Sequence, residues 1–159
     1  MHATNKYLPY LLLLILSVPL FFIGITDTHS WGDDFAQYIK EAQNIAVGKP
    51  FYESNYIFNK YNPAYAPPQY PAGYPLLLAP VVKIWGLSFR AMCYLNSVIA
   101  SFLLFALYYY FRKYVRLATA ICLAVIISYS GYMLDLKQSV LADVSCLLFV
   151  TLYVAWSNA

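Results

Sequence analysis

Between Ser88 and Arg112 the chain runs FRAMCYLNSVIASFLLFALYYYF, with Arg90 as its single charged residue. As a helix rising about 1.5 Å per residue, this stretch is long enough to cross a hydrocarbon core about 30 Å thick. Comparable apolar runs recur at Tyr7–Ile25, at about 117–134 and at about 139–156. In lipid no water can satisfy the backbone, so runs of this kind must close their own hydrogen bonds as helices. The composition agrees: 62% of residues are hydrophobic, 11% are charged and the mean hydropathy is +0.57, outside the usual range of soluble domains. The sequence therefore predicts an all-α integral membrane protein. Its architecture is a multi-pass helical bundle of about four spans, 7–25, 89–111, 117–134 and 139–156. A large first loop, 26–88, lies outside the membrane.

The first run, YLPYLLLLILSVPLFFIGI, competes with a cleaved signal peptide. A signal peptide has a shorter apolar region and a small-residue cleavage site. This run is long and no such site follows, so it is expected to stay as a signal anchor. Pro9 falls in its first turn, where proline is tolerated, and Pro19 is placed to kink it.

The loop opens with WGDDFAQY, residues 31–38. From there apolar side chains recur at Phe35, Tyr38, Ile39, Ala42, Ile45 and Ala46, one face of a helix. Gly48 and Pro50 supply a stop. The spacing predicts an amphipathic helix over 34–47, lying near the membrane surface. FYESNYIFNKYNPAYAPPQYPAGYP follows, rich in tyrosine, proline and asparagine. Tyrosine suits the membrane–water boundary, and the prolines predict an irregular, ordered loop. PLLLAPVVKIWG, residues 75–86, is apolar but too short to span, and predicts an interfacial half-helix. A tight polar turn is expected at Asp135–Gln138, between the last two spans.

Net charge is +3 and the basic residues are scattered, which is no footprint for nucleic acid. The one tight group, Arg112, Lys113 and Arg116, sits between spans and is best placed in the cytoplasm. Alternation then puts the N-terminus, with Lys6, inside, and puts 26–88 and 135–138 outside. Lys40, Lys49, Lys60 and Lys83 in the loop lie far enough from the span ends to weigh little in that rule. Cys93, Cys122 and Cys146 all fall in apolar runs, form no CxxC, and read as packing residues.

Asp33 and Asp34 carry two readings. An acid at a helix N-terminus accepts orphan N–H groups and suits the helix dipole. One acid suffices for that, and the second is left for another partner, water or a site. Asp143 falls a few residues inside the fourth apolar run, where a carboxylate in hydrocarbon is costly and faces a cavity or a partner. Its alternative is a helix that starts later, with Asp143 as an exposed cap. Arg90 and Lys137 are either phosphate-binding cations or interfacial anchors whose heads reach for water. Lys137 also stands two residues from Asp135, which it is placed to neutralise. His29, four residues before Asp33, and His2 are weak candidates.

In order and topology these pieces resemble the N-terminal portion of the GT-C superfamily of glycosyltransferases. The nearest branch in pattern is that of the protein mannosyltransferases, aminoarabinose transferases and RgtA/B/C/D-like enzymes. WGDDFAQYIKEA looks like that branch's first-loop acidic motif, with Asp33 and Asp34 as its acids. PPQYPAGYPLLLAPVVKIWGLSFRAMCYLNSVIA, residues 67–100, is similar to its PPGYP…G…R…N segment at Gly73, Tyr74, Pro75, Gly86, Arg90 and Asn96. VLADVSCLLFVTLYV resembles the SD-x-P-x-x-L-x-F start of its fourth span, with Asp143 at the acid. Ala142 and Ser145 depart from the serine and proline common there.

The resemblance implies transfer of a sugar from a polyprenyl-phosphate carrier to an extracytoplasmic acceptor (lipid, glycan or protein), with inversion. Asp33 or Asp34 would be the carboxylate base, Asp143 would orient the acceptor or the base, and Arg90 and Lys137 would meet the lipid phosphate. Tyr70 and Tyr74 would contact sugar rings, and the half-helix would line a groove for the lipid tail. Adjacent carboxylates can hold a divalent metal, but the branch does not clearly require one, so no cofactor is assigned. The implied location is the inner (cytoplasmic) membrane. Family members are usually much longer, so the chain is expected to be a fragment, a truncated product or one part of a split enzyme. The rival expectation is a non-catalytic four-span protein acting as an assembly partner. A transporter subunit has less behind it, because no span carries a polar stripe.

Overall fold

A computed structural model describes residues 6–28, 34–53, 60–61 and 70–157. Among the described residues all regular structure is helical. Seven α-helices follow one another: α1 Leu8–Ser17, α2 Phe35–Ala46, α3 Gly73–Trp85, α4 Phe89–Phe111, α5 Leu117–Ser128, α6 Gly131–Gln138 and α7 Asp143–Ser157. The chain divides into two compact units. One comprises Met1–Ile25, Asn96–Gln138 and Ala142–Ala159. The other comprises Thr26–Leu95 and Ser139–Leu141. Among the described helices α4 is the one that is long and apolar enough to cross a membrane by itself.

The first run is not one continuous α-helix. It is α-helical over ten residues and then tightens into a 3-10 turn at Val18–Phe21. Pro19 is the reason: it has no N–H to offer the carbonyl four residues back, and its ring crowds that carbonyl. Val18 N–H already bonds Ile15 O, the tighter 3-10 pairing. Together the two pieces rise roughly 23–25 Å, short of a hydrocarbon core of about 30 Å.

The expected third span is broken as well. α5 and α6 meet at 54° across Tyr129–Ser130. Ser130 Oγ donates to Ile127 O at 2.9 Å and accepts from Met133 N–H at 3.4 Å, so it closes one helix and caps the next. Gly131 follows it, and a Ser-Gly pair is a common site of helix kinks. The turn expected at Asp135–Gln138 is helical, inside α6. The fourth run starts as a helix at Asp143 rather than 139. Taken as one bent pair, α5 and α6 pass the same length and composition test as α4.

Within the first unit the chain alternates in direction. Tyr10 meets Tyr108 edge to face at 5.9 Å, while Ser97 Oγ donates to Leu20 O at 3.0 Å, so α1 and α4 run antiparallel. Tyr129 Oη donates to Leu16 O, and Lys137 Nζ to Ile23 O at 2.7 Å. Lys113 Nζ donates to Ala155 O, which joins the C-terminal ends of α4 and α7. Lys6 and Arg112 line one groove of about 300 Å³, so the N-terminus and the α4–α5 turn share an end of this unit. Its interior holds Ser17, Asn96, Ser97, Ser128, Ser145 and Thr151, all buried. Its outside carries Leu11, Leu14, Phe22, Phe102, Ile126, Phe149 and Trp156, all exposed. Leu13, Leu20, Leu103, Leu104 and Val144 help fill the rest of that interior. Cys93 is buried, whereas Cys122 and Cys146 are exposed on α5 and α7.

The second unit is built on α2 packed against α3. The expected bounds, 34–47 and 75–86, agree with the observed 35–46 and 73–85 to within two residues. Ser88 caps α4, accepting Ala91 N–H on Oγ at 3.3 Å and Met92 N–H on its carbonyl at 3.1 Å. α3 ends at Gly86, whose φ of 64° and ψ of −144° are closed to most L-residues. Nothing lies within 4 Å of a Cβ built there, so Gly86→Ala changes the backbone term alone. We expect it to cost about 1–3 kcal/mol, read as a lower thermal unfolding midpoint of the purified protein in mild detergent. An unchanged midpoint would mean that the turn relaxes without cost.

Candidate functional site

The candidate residues fall in different units. Asp34, Tyr70, Tyr74 and Arg90 belong to the second, and Lys137 and Asp143 to the first. Asp33 lies outside the described residues, as does most of the tyrosine- and proline-rich loop.

Asp34 occupies the N-cap position of α2. Its carbonyl accepts Gln37 N–H at 3.1 Å and Tyr38 N–H at 3.2 Å, as an N-cap residue's should. Its side chain makes no capping hydrogen bond and is exposed. The cap expected from one acid of the pair is not made by the Asp34 side chain, and this carboxylate is exposed beside the positive end of the helix dipole.

Arg90 stands in the first turn of α4, and Nη2 lies 2.5 Å from Asp27 Oδ2. Both side chains are more than half exposed, at 56% and 64%, so the pair adds little to stability. It does bring a carboxylate to the guanidinium at which a phosphate was expected. Five donors in a fixed fork leave Arg90 room for a second anion beside Asp27. Asp27 is absent from the sequence-based candidates, since an isolated acid in TDT carries no spacing signal.

The two tyrosines differ. Tyr38 stacks on Tyr70 at 4.9 Å and meets Tyr74 edge-on at 5.4 Å. Tyr74 is 3% exposed, so its faces are spent on packing α2 to α3 and are not open to a sugar. Tyr70 is partly exposed, and its N–H donates to Glu41 Oε1 at 3.0 Å. Glu41 is fully buried and also accepts Gln37 Nε2 at 3.0 Å, while its Oε2 has no hydrogen-bond partner among the described residues. The sequence reading passes over Glu41. Its signal is the polar series Gln37, Glu41 and Asn44, at helical spacing beside the apolar face, and all three are buried.

Asp143 is the first residue of α7 and is exposed. This corrects its expected place inside the span. The helix starts later than the apolar run does, and the acid sits in the first turn, where the dipole favours it. Lys137 departs furthest from expectation. It is 1% exposed, and Nζ donates to Ile23 O at 2.7 Å and contacts Ser97 Oγ at 3.4 Å. Its carbonyl accepts from Asn96 Nδ2 at 3.3 Å. An interfacial anchor would reach for water; this ammonium instead holds three segments of one unit together.

Two apolar features bear on a lipid tail. A groove of about 400 Å³ lies between α1 and α4, with Leu14, Phe21, Val98 and Phe102 in its wall. The predicted half-helix is α3, and much of it is buried against α2. Among the described residues no three His, Cys, Asp or Glu side chains gather as a metal would need. No family model, curated protein or solved structure matches the chain.

Removing the Lys137 ammonium while keeping its apolar stem tests its role. Lys137→Met takes that donor from Ile23 O and Ser97 Oγ. A hydrogen bond from a charged donor is worth about 1.5–3 kcal/mol. We expect a matching drop in thermal stability in detergent. A variant as stable as the parent would show that these contacts contribute nothing net.

Proposed function

We propose that the chain is the N-terminal part of a GT-C-type membrane glycosyltransferase. In this reading four passes alternate across the inner membrane: the first run, α4, the bent pair α5–α6, and α7. The N-terminus and the 112–116 cluster are cytoplasmic, and the loop with Asp33 and Asp34 is extracytoplasmic. Support for the orientation comes from Lys6 and Arg112 sharing one groove, which gathers positive charge at one end. Support for the bundle comes from the alternating helix directions and the apolar exterior of the first unit.

The reaction would move a sugar from a polyprenyl-phosphate donor to an acceptor hydroxyl. The bond from the anomeric carbon to the phosphate oxygen breaks, with its electron pair leaving on the phosphate. The acceptor oxygen attacks from the opposite face, and its proton passes to a carboxylate of the Asp33–Asp34 pair. Arg90 would meet the departing phosphate. Lys137 is buried among carbonyl and hydroxyl acceptors and would act through the fold. Tyr70, partly exposed, remains the aromatic contact for the sugar.

The observation that carries the reading is the state of Asp34. Its carboxylate is exposed at the head of the amphipathic helix and is not consumed in a cap, so the acidic motif keeps a base to offer. A second reading, a non-catalytic membrane protein that assists assembly, draws on Lys137, Tyr74 and Arg90. All three are engaged within the fold.

The test is transfer from labelled polyprenyl-phosphate sugars in membranes that hold the chain as its gene encodes it. General-base removal lowers such rates by about 10²–10⁴-fold. Asp33→Asn or Asp34→Asn is expected to fall in that range, and Asp143→Asn to fall less. Equal activity in all three variants would remove the site. Absence of transfer with every donor, from membranes holding folded protein, would favour the second reading.

A further inference from the structure

The C-terminal ends of α2 and α3 form a groove of about 520 Å³ that the proposed reaction does not use. Lys40, Lys49 and Lys83 line it, together with Asn44, Val82 and Leu87. No carboxylate of the described residues lines it. Local backbone chemistry sets the lysines there. α2 closes with Gly48 at φ +74°, Gly48 N–H on Ile45 O at 3.1 Å and Lys49 N–H on Asn44 O at 2.8 Å. That is the paired bonding of a Schellman motif, which holds Lys49 just past the helix end. Asn44 Nδ2 then ties down the next segment through Glu53 O at 2.8 Å. Lys83 stands in the last turn of α3.

Lysines near a helix C-terminus have a plain structural use, because they offset the dipole. Each helix end carries about −0.5 charge, so two ends call for about one cation. Lys49 and Lys83 stand at those ends and Lys40 lies further back on α2, so three cations are present, and among the described residues none of them has an ion pair. The surplus faces an open groove. Beside it Val47, Ile84, Trp85 and Leu87 stand 61–68% exposed. Surplus positive charge next to an exposed apolar cluster with a tryptophan suits an amphiphile at a membrane surface. A small soluble anion would leave the apolar cluster in water.

We infer that this groove holds the phosphate headgroup of an anionic glycerophospholipid of the bilayer, with Trp85 and its apolar neighbours set against the upper acyl chains. The bound lipid is structural: it fixes the depth and tilt of the α2–α3 unit at the interface. The inference rests on the membrane placement proposed above and not on glycosyl transfer.

The test uses the full chain with Trp31→Phe and Trp156→Phe, reconstituted in vesicles, so that Trp85 alone reports. Brominated phosphatidylglycerol and brominated phosphatidylcholine are compared as quenchers. A lysine near an anionic surface is worth about a fivefold preference, so three predict about a hundredfold. Wild-type lysines should give preferential quenching by phosphatidylglycerol that weakens from 50 to 500 mM salt. Lys40→Gln/Lys49→Gln/Lys83→Gln should lose most of the preference while Trp85 stays quenched by both lipids. Equal quenching in the parent, a preference indifferent to salt, or one kept by the triple variant would overturn the inference. So would displacement of phosphatidylglycerol by 10 mM inorganic phosphate, which would mark a soluble-anion site. Transfer activity is read separately: its absence with the lipid preference intact fails the enzyme reading alone. Quenching by neither lipid fails the membrane placement with it.

Discussion

A helix break leaves carbonyls without partners, and much of the first unit is arranged around one such break. Pro19 ends α1 early and turns Val18–Phe21 into a 3-10 segment. Near that break stand the carbonyls of Leu16, Leu20 and Ile23, where regular helical bonding ends. Each receives a donor from elsewhere in the unit: Tyr129 Oη, Ser97 Oγ and Lys137 Nζ. Those donors come from the α5–α6 break, from α4 and from α6, so one proline fixes the register of the rest against the first run. Lys113 does the same for Ala155 O at the end of α7. Two lysines that could have reached for water serve as remote caps for helix ends.

This explains what is legible in the sequence and what is not. Amphipathic spacing and a glycine stop locate α2 to within a residue at each end, and an uninterrupted apolar run with a serine before it locates α4 without error. Both signals are local, so the sequence carries them whole. The Tyr129–Ser130 kink also has a local cause, but an apolar run of sufficient length masks it: hydropathy averages over a Ser-Gly pair that geometry does not ignore. Lys137 is different. Two residues from an aspartate at the end of an apolar run, it reads as a surface pair. Its burial depends on Ile23 O, 114 residues away in the chain, and on a break that frees that carbonyl. Glu41 is hidden for a related reason, since Tyr70 N–H reaches it from the far side of the long loop.

The site is legible to a different degree. Residue types and order pick out Asp33, Asp34, Asp143, Arg90 and Lys137, and the resemblance adds Tyr70 and Tyr74, but neither separates groups that hold the fold from groups left at its surface. Burial does. Lys137 and Tyr74 are enclosed, and Glu41, which the pattern omits, is enclosed as well. Asp34, Asp143 and Arg90 remain exposed.

That division bears on chemistry. A general base must come within hydrogen-bond reach of the hydroxyl it deprotonates. Glu41 has an oxygen without a hydrogen-bond partner among the described residues but no exposed surface, so a hydroxyl reaches it only if the α2–α3 packing opens. Asp34 has surface and no capping bond. The two acids stand on one helix, about two turns apart, and have opposite environments. One is open to solvent, while hydrogen bonds from Gln37 and Tyr70 hold the other in place. In the reading proposed above the base therefore stands at the N-terminal end of α2, and Glu41 holds the helix on which it stands.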